Sequence, residues 1–193
     1  ASRLDGYSVD SVKASLDRAQ QAFVVTSSQY IVLDDTGFES VDQMTNGTGP
    51  GIGAFETITS LYPDDGVTNP VPVILDHTNA AITSSPRQVI GYVSHGTNDG
   101  PNFGLGDNYI GQFVDGVFVP GELQFDLAPG AVFHTHESFN AQSFDPNNPQ
   151  VDGLVADWIE VGGTAGLGHV AEPQNGHVNV TNEDLFYRMF LPA

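Results

Sequence analysis

Histidines at the ends of apolar runs are the first residues in this sequence whose type and spacing suggest chemistry. His134 and His136 stand two apart, so on a strand both side chains point to the same face. Two imidazoles at this spacing can ligate one zinc or copper ion, with His95, His169 or a carboxylate completing the set. The alternative is a pair of structural histidines that are hydrogen-bonded beneath a helix.

The same strand ends also admit a hydrolytic site. His95 follows one apolar run and can act as the base for Ser138, which follows another, while His136 and Glu172 lie at the same predicted rim. Ser138 is not in a Gly-x-Ser-x-Gly turn, so the usual signature of α/β-hydrolases is missing. The alternative for Ser138 is a structural cap at a turn or helix start.

Two segments rich in Asp and Asn are candidates for calcium binding. One spans 98–108 and contains Asp99 and Asp107, and the other spans 145–152. Carboxylate and amide oxygens suit calcium, although neither segment has the spacing of an EF-hand. Solvated loops are the alternative for both segments.

Composition excludes several classes of protein. The chain has 193 residues, of which 24 are acidic and 5 basic, and its formal net charge is −19. Nucleic acid is a poor partner, because a phosphate track needs clustered Lys and Arg. Since the chain has no cysteine, it has no disulfide framework, no thiolate zinc site and no cysteine nucleophile. No apolar stretch approaches the roughly 18 residues of a membrane span.

The acidity also predicts where the protein works. Asp, Gly, Pro and Asn are abundant, whereas Lys and Arg are scarce. This composition favours an exported protein that is extracellular or lies at the cell surface, in saline surroundings that a strongly charged chain tolerates. The cytoplasm of a halophile is the alternative.

Hydrophobic periodicity predicts alternating helices and strands. An amphipathic helix over 8–22 carries its apolar face on Val9, Val12, Leu16 and Ala19. The other predicted segments are strands near 30–34, 71–75, 88–94, 131–136 and 165–170 and helices near 52–62, 151–161 and 183–191. This alternation predicts one α/β domain spanning 1–193, with a mostly parallel sheet flanked by helices.

Local signals refine this prediction. Asp115-Gly116 between apolar residues predicts a β-hairpin inserted near 112–125. Pro72 cannot donate a hydrogen bond to a sheet, so the strand at 71–75 should lie at an edge. Trp158 lies on the apolar stripe of the helix over 151–161 and should be buried against the sheet, and Gly162-Gly163 should end that helix.

Four different short motifs are spread along nearly the whole chain: Arg-Leu-Asp-Gly at 3–6, Pro-Gly-Ala at 129–131, Ser-Phe at 138–139 and Val-Ala-Glu-Pro at 170–173. Taken in order, they resemble an uncharacterised family of exported bacterial proteins. The matched positions are Arg3, Asp5, Ser138, Glu172 and Pro173. The resemblance implies that the chain is the C-terminal half of a longer exported protein. It implies no catalytic role, because that family has no established reaction.

A looser similarity is to the caspase and gingipain-like fold, in which one strand ends in His-Gly and the next ends in the nucleophilic Cys. Here the apolar run 89–93 leads to His95-Gly96, whereas 131–133 leads to His134-Thr135-His136, so only the first position is matched. The similarity implies a caspase-like sheet, with a flavodoxin-like sheet as the alternative. The missing Cys excludes cysteine peptidase activity.

Two classes of function are consistent with these observations, and only one of them includes an enzyme. The first is a non-catalytic binding or surface-assembly domain, whose partner is another polypeptide segment or a further copy of the chain. A sheet edge or an apolar patch near residues 1–34 should then be exposed unless another chain covers it. The alternative is a hydrolase or metal-binding domain that uses the strand-end rim of His95, His136, Ser138 and Glu172.

Overall fold

A computed structural model describes residues 4–25, 28–34, 73–76, 81–94, 108–135, 137, 139–146 and 154–170. In chain order its elements are α1 (Val9–Gln20), β1 (Gln29–Asp34), β2 (Val73–Asp76), β3 (Gln88–Ser94), β4 (Gly111–Val114), β5 (Val117–Pro120), β6 (Leu127–Thr135), α2 (Leu154–Glu160) and β7 (Ala165–Leu167). The predicted helices near 52–62 and 183–191 lie outside these residues.

Five of the described strands form one parallel sheet in the order β2-β1-β3-β6-β7. This confirms the predicted α/β fold with a mostly parallel sheet. β2 pairs only with β1 among the described strands, at the edge position that Pro72 predicts. If β4 and β5 are left out and the remaining strands are renumbered along the chain, the order becomes 2-1-3-4-5. This is one of the common doubly wound orders, and its switch point, from which the chain adds strands on either side, lies between β1 and β3.

The predicted β-hairpin is present as a separate antiparallel pair, β4 and β5. Asp115 and Gly116 connect the two strands with φ angles of 52° and 79°. Positive φ at both central residues is the geometry of a type I′ turn, which matches the right-handed twist of the flanking strands. Phe113 of this hairpin packs edge-on against Tyr7, with 4.9 Å between the ring centroids.

The core lies between the sheet and α2. Trp158 is buried, stacks on Phe133 with 5.2 Å between ring centroids, and donates its indole N–H to the carbonyl of Ala131 at 3.3 Å. The burial of Trp158 predicted from the sequence is therefore confirmed. Every residue from Leu154 to Ile159 is buried, so α2 is surrounded by protein on all sides rather than on one stripe.

Two glycines end α2 as predicted, and each is needed for a different reason. Gly162 has φ 111°, a backbone conformation that side chains disfavour. A Cβ on Gly163 would clash with the indole of Trp158. The N–H of Gly162 bonds the carbonyl of Ile159 at 3.2 Å and that of Gly163 bonds the carbonyl of Trp158 at 2.7 Å. This pair of hydrogen bonds is the Schellman motif.

The helix α1 buries a polar face rather than the apolar face that its periodicity identifies. Ser8 caps its start as expected, and its side chain accepts from the N–H of Ser11. The buried positions are Ser11 and Ser15, whereas Val9, Leu16 and Ala19 of the predicted apolar face are exposed. The apolar face that periodicity identifies is therefore turned mostly to solvent. The polar face of α1 bonds the C-terminal end of α2 instead, and several apolar side chains within residues 1–34 are exposed: Leu4, Val9, Leu16 and Phe23.

Candidate functional site

Polar residues end three neighbouring strands in one row. Asp34, Ser94 and Thr135 are register partners at the carboxyl ends of β1, β3 and β6, and all three are buried. Asp34 accepts a hydrogen bond from the N–H of Ile82 at 2.8 Å. Ligands of open parallel sheets bind beyond this edge, so the row marks where a site is expected.

On one face of the sheet, a buried network extends this row. Thr135 follows Phe133 by two residues and so lies on the face that packs against α2. Its hydroxyl and that of Tyr109 both donate to Oε2 of Glu137, at 2.9 and 2.8 Å. Two hydroxyl donors therefore stabilise a carboxylate that is almost entirely buried.

Asn140 connects this network to the end of β7. Its side-chain amide donates to the hydroxyl of Thr135 at 2.8 Å, and its Oδ1 accepts the N–H of His169 at 2.5 Å. The N–H of Ala141 in turn bonds the carbonyl of His169 at 3.0 Å. His169 bonds these loop residues rather than a neighbouring strand, and β7 ends at Leu167, earlier than the predicted segment 165–170.

His134 and His169, two of the predicted metal ligands, lie beside each other. His134 is fully buried in β6, His169 is half-buried beyond β7, and their ring centroids are 5.7 Å apart. Nδ1 of His134 lies 3.1 Å from the carbonyl oxygen of Leu167, and Nδ1 of His169 lies 3.0 Å from that of Glu137. A carbonyl oxygen only accepts, so in both rings the proton is on Nδ1.

The remaining predicted site residues lie outside the described part of the chain: His95, Asp99, Asp107, His136, Ser138 and Glu172. The shared pocket of His95, His136 and Glu172 and the two calcium loops therefore stay predictions. Within the residues that the structure does describe, no group of three or more His, Asp or Glu side chains is placed to hold a metal ion.

Sequence analysis did not single out several of the polar residues at this edge of the sheet. Asp34 and Glu137 lie at or just past the ends of apolar runs, so the rule that ligands bind beyond the carboxyl ends of strands could have identified them. Tyr109 and Asn140 carry no such signal, since each lies in a loop and is brought to Glu137 or Thr135 only by folding. The sequence therefore indicated the edge of the sheet but not the loops that complete it.

Comparison of the chain with protein-family models, with curated proteins and with solved structures finds no match. The resemblances to exported bacterial proteins and to the caspase-like fold thus remain predictions. Among the helices described here, none is long and apolar enough to cross a membrane.

Proposed function

We propose that this chain is a non-catalytic binding domain that docks a segment of another polypeptide on the outer face of α1. This outer face is defined by Val9, Val12 and Leu16, which are three and seven residues apart on the helix, together with Phe23 just beyond its end. The observation that carries the proposal is the orientation of α1, whose polar face is turned inward and whose apolar face is turned outward.

The exposure of these side chains is large. Val9 is 71% exposed, Leu16 42% and Phe23 72%. Burying a side chain of this kind contributes about 1.5–3 kcal/mol relative to leaving it in water. Single exposed apolar residues are common, but a row at helical spacing offers a partner one continuous surface.

Hydrogen bonds hold α1 in this orientation. Ser15 donates to the carbonyl of Thr164 at 2.6 Å, Ser11 donates to the carboxylate of Glu160, and Arg18 donates to the carbonyls of Ile159 and Gly163. A rotation that buried Leu16 would break all of these bonds and expose the carbonyls at the end of α2. The outer face is therefore presented to solvent by the fold itself.

The negative charge of the chain favours a partner that carries positive charge. The chain carries a net charge of −19, and the exposed side of α1 bears Asp10 and Asp17 together with Lys13, which pairs with Asp10 at 3.3 Å. A second copy of the chain and an anionic membrane surface are both repelled by this field. A polypeptide segment with apolar residues flanked by Lys or Arg satisfies both the apolar face and the charge around it.

Three labelled helical peptides of equal length test the proposal by fluorescence anisotropy: one of Leu and Lys, one of Leu and Glu, and one of Gln and Lys. We expect the chain to bind the Leu/Lys peptide best. Leu16→Ser should weaken that binding at least about 10-fold, the equivalent of about 1.4 kcal/mol. Gln124→Ser, an exposed polar change outside α1, is the control and should bind as the unaltered chain does.

Two outcomes would overturn the proposal. Equal binding of the Gln/Lys and Leu/Lys peptides would show charge attraction without apolar docking. Sedimentation that shows self-association of the chain, abolished by Leu16→Ser, would assign the outer face to a second copy. The hydrolase alternative rests on His95, Ser138 and Glu172 and stays a prediction, as does the exported or cell-surface setting that the acidity favours.

A further inference from the structure

The histidine pair at the carboxyl edge of the sheet is independent of the outer face of α1. His134 comes from β6 and His169 from the residues after β7, so the pair is assembled by the pairing of these two strands. A zinc–nitrogen bond of about 2.0–2.1 Å places an imidazole centroid about 3 Å from the ion, so two imidazoles on one ion have centroids about 5–6 Å apart. The observed separation of 5.7 Å lies in this range.

Both rings are also held in the tautomer that a metal ligand requires. Because each Nδ1–H donates to a backbone carbonyl, the lone pair of the neutral ring is on Nε2. Metal-binding histidines characteristically donate their second ring N–H to a carbonyl or carboxylate in this way, which orients the ring and raises its basicity. Both Nε2 atoms are buried, so the solvent around a bound ion would be restricted.

We propose that Nε2 of His134 and Nε2 of His169 bind one divalent ion of the zinc and copper group. Imidazole nitrogen suits zinc, copper and nickel, whereas calcium and magnesium prefer oxygen. Among the residues that the structure describes, no third His, Asp or Glu side chain is placed to complete the coordination of this ion.

Zinc titration by calorimetry, in excess calcium to saturate carboxylate sites, tests the proposal. We expect one zinc ion per chain. His134→Asn and His169→Asn are the informative variants, because the Asn amide keeps a donor close to the position of Nδ1–H and removes Nε2. Each should weaken zinc binding at least about 10-fold. His77→Asn, a histidine that the proposal does not involve, should bind zinc as the unaltered chain does.

A second experiment uses pulsed electron paramagnetic resonance of the unaltered chain loaded with one equivalent of copper(II). This measurement detects imidazole bound to copper, which histidines with only a structural role would not produce. We expect modulation from the remote nitrogens of two coordinated imidazoles, reduced to one in His169→Asn. If His134→Asn fails to fold, zinc binding by His169→Asn, a change at a half-buried position, and the copper spectrum of the unaltered chain still test the proposal. Unchanged zinc binding in both variants, or a copper spectrum without two imidazoles, would overturn the proposal.

Discussion

At the scale of single residues, Tyr7 ties the N-terminal segment to α2. Its hydroxyl donates to Oδ1 of Asp157 at 2.7 Å, and Asp157 is buried while Tyr7 is half-buried. Burial, and after it the negative charge of Asp157, raise the pKa of Tyr7 well above its ordinary value. The folded state therefore holds this phenolic proton more tightly than the unfolded state does.

The pH dependence of stability follows from this direction. Below the ordinary tyrosine pKa of about 10, Tyr7 is protonated in both states and its contribution is fully present. As pH rises above that value the unfolded chain loses its proton first, so the free energy of unfolding falls, by at most about 1.4 kcal/mol per pH unit. Solvent screening of the part-exposed ring reduces this slope. Urea unfolding between pH 8 and 11 measures it.

Two variants control this measurement. Tyr7→Phe removes the ionisable group and should show a shallower loss of stability above pH 10 than the unaltered chain. Asp157→Asn keeps a hydrogen-bond acceptor and removes the charge, so part of the slope should remain, because burial is the larger cause. Identical slopes for Tyr7→Phe and the unaltered chain would contradict the assignment.

At the scale of elements, the junction between α1 and α2 depends on Arg18. Nη2 of Arg18 donates to the carbonyls of Ile159 and Gly163 at 3.0 and 2.7 Å, and Nε donates to that of Gly163 at 3.0 Å. The last carbonyls of a helix lack partners within it, and a cation there also interacts favourably with the helix dipole. Desolvation lowers the pKa of Arg18, and the charge of Glu160 opposes that shift.

Replacing Arg18 by Met keeps most of the aliphatic stem and removes the donors. We expect Arg18→Met to lower the free energy of unfolding by about 1.5–3 kcal/mol, the range for hydrogen bonds to charged groups. Lys13→Met is the matched control on the same helix. Its ion pair with Asp10, at 3.3 Å, is exposed, so its loss should cost less than about 1 kcal/mol. Equal losses in urea unfolding would refute a specific role for Arg18.

At the scale of the whole molecule, the net charge of −19 opposes the compact state. Raising ionic strength from 0.01 to 1 M shortens the screening length from about 30 to 3 Å, so self-repulsion falls and stability should rise. The melting temperature should increase by about 2–4 °C for each kcal/mol gained. Calorimetry in stepped sodium chloride measures the increase.

A charge-reduced variant separates repulsion from other effects of salt. Asp17, Asp115 and Asp126 are exposed, and replacing all three with Asn changes the net charge from −19 to −16. The variant should melt higher than the unaltered chain at low salt and show a smaller increase with salt. A melting temperature that does not change with ionic strength would contradict this account, and a requirement for molar salt would favour the halophile setting.

Local signals in the sequence were sufficient for most of the elements. Unbroken apolar runs such as 29–34 and 88–94 are buried on both faces, as parallel strands in the middle of a sheet require. Asp115-Gly116 determined the hairpin turn, because these residues adopt positive φ at low cost. The period of α2 identified Trp158 as a core residue, since helical spacing brings it onto the sheet.

Only the tertiary structure decided which face of α1 is buried. Val9, Val12 and Leu16 share one face by spacing, and Ser11, Ser15 and Arg18 share the other, so periodicity identifies two faces without ranking them. The carbonyls of Gly163 and Thr164, just after α2, need donors, and Arg18 and Ser15 on the polar face supply them. The pairing of β6 with β7 likewise brings His134 beside His169, a contact between residues 35 apart that no local pattern encodes.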